Sequence, residues 1–273
     1  MVLVSTHGIV MSRLLPVLTV FSLLVCRAGI SQETAFNPRD LFGVWAGSGG
    51  GGGFIPYGPD MPRLTEIGEA VYVQSIPTRS PDPRLTIATI PELSNDPSYA
   101  CNPRGFPRTM LDTAVRFLEF IHLDGRILQL LQQERTLREL WMDRRALPSG
   151  ENLENIGPSW YGHSVAEWQG DELVVNTVGL DDRAWLDSLG HVKSFYARVE
   201  ERYRLVDADT LELRMILHDP TYYTAPWEAE TRIFKREPRE GITFFGWYGI
   251  FSGVMDMMCA PLDAAERRRP GAL

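Results

Sequence analysis

Between Val115 and Arg236 the chain is a succession of runs in which apolar and charged residues alternate, each closed by a tight-turn sequence. That pattern constrains the fold more than any other feature. Alternation with a period of two puts one set of side chains on each face of a pleated strand. VRFLEFIH and RILQLLQQ flank Asp124-Gly125, a dipeptide that tolerates the positive φ of a two-residue hairpin. TLRELWM follows as a third run. HSVAEW and ELVVNTVGL flank Gln169-Gly170-Asp171, and FYARVEERYRLV and TLELRMILH flank Asp207-Ala208-Asp209. WEAETRIFKR then closes the series beyond Asp219-Pro220. About eight such runs without an internal repeat predict an all-β domain. The expected form is a strongly curved antiparallel sheet, closed as an up-and-down, lipocalin-like barrel or folded over as a sandwich. The barrel is the favoured form, because long neighbouring hairpins with one apolar face close most simply on themselves.

Upstream, Asp40 to Trp45 reads as a short strand that runs into the glycine-rich stretch Gly47 to Gly53. No lysine or helix signal follows at the spacing of a phosphate-binding loop, so a mobile surface loop is expected. Residues 54–110 are rich in proline and polar groups and are expected to wrap the domain as a long irregular segment. Helices are scarce, with Leu262 to Arg269 and Asp182 to Leu189 as the candidates.

The segment Met11 to Gln32 has the layout of a signal peptide: Arg13, the apolar stretch LLPVLTVFSLLV, then small residues at Ala28, Gly29 and Ser31. At about 12 residues the stretch falls short of the roughly 20 that span a bilayer. Met1 and Met11 are both possible starts. Cys26 lacks the small residues that precede a lipoprotein cysteine and is followed by Arg27. The expectation is a signal peptide over 1–31, a single domain over 32–273, and a periplasmic or secreted location with no membrane span in the mature chain. Cleavage would remove Arg13 and Arg27 and no acid, so the formal charge of −8 would become more negative. An acidic exported protein is a poor match for nucleic acid or anionic membrane. Cys101 and Cys259 would remain, an even pair that in an exported chain predicts a disulfide, with two separate buried thiols as the alternative.

Chemistry-bearing residues concentrate between Pro158 and His191, in PSWYGHSVAEW and DDRAWLDSLGH. His163 and His191, with Asp181, Asp182 and Asp187 between them, have the parts of a proton-transfer site: base, acid and orienting carboxylate. Each has a structural role available as well, in capping turns. Alternation puts Glu201 on the apolar face of its run with Val199 and Tyr203, where a carboxylate must pair or titrate upward. It is therefore either functional or salt-bridged to an arginine. Trp160, Tyr161, Trp185, Asp219, Tyr222 and Trp227 are candidate ligand contacts. Histidines and cysteines lack metal-ligand spacing, and Gly162-His163-Ser164 is not a nucleophile elbow, so neither a metal, a cofactor nor a serine hydrolase is expected.

The segments DLFGVW, DPSYACNPRGFPR, WYGHSVAEWQGDELVVNTVGLDDRAWLDSLGH and VEERYRLVDADTLELRMILHDPTYYTAPW resemble a group of exported bacterial β-rich proteins of unassigned function, with a GHSxxxWxGDxLVV core motif. The resemblance implies export and a single β domain, and it points to the region of His163, Asp181, Asp182, Trp185, Asp187, His191, Glu201, Asp219 and Tyr222. It brings no reaction with it, and the chain departs from the group in Gly47 to Gly53 and in WYGIFSGVMDMMCAP. The leading expectation is a barrel with a small-molecule pocket and cofactor-independent acid–base chemistry at its mouth, as a lyase, isomerase or hydrolase. A lipocalin-like carrier for a small apolar ligand is the second, and a partner-binding surface protein the third.

Overall fold

The computed structural model describes residues 36–47, 61–88, 93–111, 117–131 and 136–237, all within the compact unit Phe36–Leu273. The expected signal peptide, the residues 48–53 of the glycine run, Cys259 and the expected C-terminal helix lie outside the described residues.

Ten strands form in chain order: β1 (Gly43–Gly47), β2 (Phe117–Leu123), β3 (Arg126–Leu131), β4 (Thr136–Trp141), β5 (His163–Gln169), β6 (Glu172–Val178), β7 (Arg198–Asp207), β8 (Thr210–His218), β9 (Trp227–Glu228) and β10 (Arg232–Arg236). Neighbours in sequence are neighbours in space from β1 to β9, and β10 pairs with both β1 and β8, which closes nine strands into a barrel. The run WEAETRIFKR, read as one strand, is two: β9 takes one half of the β8 edge at Ile216 and Leu217, and β10 takes the other from Thr210 to Leu213. Nine is odd, so strand direction cannot alternate all the way round, and one joint has to be parallel. That joint is β4–β5, paired only at Leu140↔Ser164 and Trp141↔Val165. A parallel neighbour requires a crossover. Here residues 142–162 cross back along the barrel and include helix α3 (Gly150–Ile156).

Alternation places the core. Val199, Glu201, Tyr203 and Leu205 of β7 point inward with Leu211, Leu213, Met215 and Leu217 of β8, and all are buried. On the outer face, Arg202 pairs with Glu200 at 2.7 Å and with Glu172 at 3.1 Å, and Arg204 pairs with Glu212 at 3.0 Å. Such partly exposed pairs each contribute under about 1 kcal/mol, so the wall is held by its hydrogen-bonded ladder and its inner face.

The tight turns at 124–125, 170–171 and 208–209 occupy one end of the barrel. The other end is covered by the excursion 179–197 between β6 and β7, by the loop 219–226, and by parts of the segment expected to be irregular. That segment contains helix α1 (Glu66–Ser75), a 3-10 turn (Pro97–Ala100) and the short helix α2 (Arg108–Leu111). All four residues of α2 are buried. Phe106, just before α2, lies with its ring 3.8 Å from the Arg138 guanidinium of β4. Gly105 makes this approach possible: at φ +67 a Cβ would stand 2.9 Å from the Ala184 methyl and 3.0 Å from the Trp160 carbonyl oxygen. The expected helix at Asp182 to Leu189 is a series of turns and bends. Aspartates there bond backbone amides two residues on, which competes with helical pairing.

Candidate functional site at the capped end

The sequence candidates separate into three places. Inside the barrel, Glu201 is fully buried and takes both ends of the Arg138 fork, at 3.0 and 2.7 Å. Arg138 also donates to Gln129 Oε1 at 2.6 Å, Thr177 Oγ1 at 3.1 Å and Ser164 Oγ at 3.3 Å, while Tyr203 donates to Glu201 at 2.6 Å. Burial opposes the charge on Arg138, and the adjoining carboxylate more than restores it. Five strands, β3 to β7, thus contribute to one buried network. Removing a single partner from such a pair costs about 3–5 kcal/mol. Glu201 is in this setting the salt-bridged carboxylate, the second of the two roles its alternation allowed.

On the barrel's flank, His163 opens β5 and lines a recess with Tyr161 and the β4 residues Glu139 and Trp141. Trp160 lies nearby beneath the Arg183 guanidinium, at 4.6 Å.

The remaining candidates meet at the capped end. Asp187 Oδ2 and His191 Nδ1 are 2.8 Å apart, and Asp187 Oδ1 accepts from the amides of Leu189 and His191 at 2.8 and 3.2 Å. A carboxylate held from two sides fixes the ring it touches. The His191 ring is buried, stacked on Tyr72 of α1 at 5.0 Å and edge-on to Trp227 at 5.3 Å. Asp219 accepts from Ser194 N and Ser194 Oγ, both at 2.7 Å, and so ties the loop after β8 to the excursion. Asp181 is held by Arg183 at 2.9 and 2.6 Å, and that partner keeps its carboxyl below the usual range. Trp185 is buried here, and Asp182 is exposed. The Tyr222 backbone accepts from Thr65 N at 2.9 Å. Thr65 in turn caps α1, its hydroxyl accepting from Gly68 N at 3.0 Å.

Lys193 lies in the middle of this group and was not among the sequence candidates. It is 1% exposed, and its ammonium donates to the carbonyl oxygens of Asp181 and Ala184 at 2.8 and 2.6 Å. Burial lowers its pKa to about 7, against the pull of Asp181, Asp182 and Asp219. Tyr223, whose hydroxyl donates to the Val192 carbonyl at 2.8 Å, is pushed upward by burial and by Asp187 and Asp219. A faint signal for Lys193 exists: the chain's 27 basic residues include only two lysines, Lys193 and Lys235. Arg138 was also legible, because in TLRELWM it shares a face with Leu140 by the same alternation that selected Glu201.

The capped end therefore combines a carboxylate-oriented imidazole, stacked on α1, with a buried amine whose pKa burial lowers to about 7. Among the described residues no cluster of three or more His, Cys, Asp or Glu side chains is placed to hold a metal ion. Among them, too, no helix is long and apolar enough to cross a membrane. No family model, curated protein or solved structure matches the chain.

Proposed function

We propose that the chain is an exported barrel enzyme that moves protons on a small organic molecule at its capped end. His191 is the acid–base group, Asp187 the residue that orients it, and Lys193 a second titrating group at the same end of the barrel. The Asp187–His191 contact at 2.8 Å carries the reading. It fixes one ring nitrogen and with it the orientation of the imidazole. Compared with the sequence expectation, His163 gives up its place as the second proton carrier, because it faces the flank. His191 and Lys193 are both buried, and the His191 ring is stacked on Tyr72 of α1.

The test uses the purified mature chain on an extract of small molecules from the periplasm, followed by untargeted mass spectrometry. Wild type should consume at least one compound, and H191Q and D187N should slow that by roughly a hundredfold or more while keeping the native circular dichroism. An extract left unchanged by wild type, or consumed equally by H191Q, overturns the reading.

One observation favours a carrier instead. Asp181, Asp187 and Asp219 already spend oxygens on Arg183, Leu189 and Ser194, as residues that only shape a pocket would. A compound that co-purifies at one per chain and is released unaltered on denaturation would establish that alternative.

Cys101 is proposed to pair with Cys259, the even pair that signal removal would leave in an exported chain. Thiol titration of the unfolded, unreduced mature chain should find no free thiol, and two free thiols would exclude the pair.

A further inference from the structure

Helix α1 turns an apolar side outward. Ile67, Ala70 and Val73 recur at three-residue spacing, which keeps them on one side of a helix, and Ile76 follows at its C-cap. Among the described residues Ile67, Val73 and Ile76 are 61%, 56% and 52% exposed. The acids of this helix, Glu66 and Glu69, stand in its first turn, where the helix dipole favours them. Elsewhere the outer wall carries charge, as Arg202 and Arg204 do on β7 with their partners Glu200 and Glu212. Three large apolar side chains together on the cap therefore mark a contact surface.

The sequence supplies an occupant. Beyond Glu237, the last described residue, the chain continues through ITFFGWYGIFSGVMDMMCAP, an apolar run whose one charged residue is Asp256. Near its end stands Cys259, and the proposed partner Cys101 belongs to the same cap as α1. Asn95 connects the two places: its side-chain amide donates to the Ile76 carbonyl oxygen and accepts from Thr78 N, both at 2.8 Å. The 3-10 turn that begins two residues later has Cys101 as its C-cap. From Asn95 to Cys101 the chain spans at most about 20 Å, so a disulfide at Cys101 brings the end of the run close to the C-terminal end of α1. The start of the run lies at the opposite end of the barrel, where Arg236 N donates to the Asp209 carbonyl oxygen at 2.9 Å. About 20 residues separate Glu237 from Cys259 and reach roughly 70 Å when extended, against roughly 30 Å for a strand as long as β7 or β8. The chain can pass along the barrel and still lay about a dozen residues on α1, which is itself about 15 Å long.

We propose that residues 247–258 lie against the outward face of α1, on Ile67, Val73 and Ile76, and that a Cys101–Cys259 disulfide holds them there. Because Tyr72 of the same helix stacks on the His191 ring, the segment braces the helix that contacts the acid–base pair. The placement does not depend on that pair being catalytic; its tether rests on the proposed disulfide.

Photo-crosslinking of the oxidised, purified mature chain tests it, with p-benzoylphenylalanine in place of Val73 and peptide mapping of the product. The crosslink is expected within one chain, to residues 247–258, with a several-fold lower yield in C259S and an unchanged yield in H191Q. The double variant I67K/V73K should keep the native circular dichroism and be cut by chymotrypsin within 247–258 roughly tenfold faster or more. A crosslink between two chains would make the face a dimer interface. A chain that gives no crosslink but floats with phosphatidylglycerol vesicles would present the face to lipid. Either result overturns the proposal, as do a crosslink elsewhere in the chain and equal cleavage of I67K/V73K and wild type. An undiminished yield in C259S overturns the tether.

Discussion

Lys193 shows how one residue can set the pH behaviour of the molecule. Its ordinary pKa of 10.5 falls to about 7 in the folded chain, so between those values the unfolded chain holds a proton that the folded chain does not. Stability contributed by this group therefore rises with pH across that window, at up to about 1.4 kcal/mol per pH unit, and is flat below about pH 7. Urea unfolding at half-unit intervals from pH 7 to 10 should show the slope in wild type and lose it in K193M. An unchanged slope in K193M would mean that another group governs it. Glu201 makes a different point at the same scale. Its partner could be read from the sequence, since Arg138 falls on the apolar face of TLRELWM, but the pairing across β4 and β7 could not, because nothing in either run encodes which strands become neighbours across a closed ring.

At the scale of elements, the turns carried the information. Asp124-Gly125, Gly170-Asp171 and Ala208-Asp209 each sit where a hairpin reverses, because those residues accept the backbone angles that a short reversal needs. Helix α1 was invisible for a physical reason: EIGEAVYVQS has no apolar stripe, and Gly68 is its only buried residue. The helix is fixed instead by close backbone approach. A Cβ on Gly68 would stand 2.3 Å from the Tyr222 carbonyl oxygen, and one on Gly190 would stand 2.1 Å from that of Ser75 at the helix end. G68A is expected to cost about 1–3 kcal/mol through this overpacking and to loosen α1 ahead of the barrel. Hydrogen exchange should then rise in residues 66–75 while β7 and β8 stay protected. Uniform exchange across the chain would show that cap and barrel open together.

At the scale of the whole molecule, the sequence disclosed a sheet that curves but not how it closes. β1 and β10 are short runs, the first and last strands among the described residues, and closure depends on their meeting. The same meeting places the ring's first and last strands side by side, with Glu237 N donating to the Val44 carbonyl oxygen at 2.9 Å. A circular permutant is therefore within reach, joining Glu237 to Gly43 through a short glycine linker and taking its new ends within α3. Cooperative melting and native circular dichroism are expected of it, and a molten or aggregated product would show that the covalent crossover is needed for closure. Rewired in this way, the chain would trace nine strands in unbroken antiparallel succession, and the parallel joint would become the seam where its two ends meet.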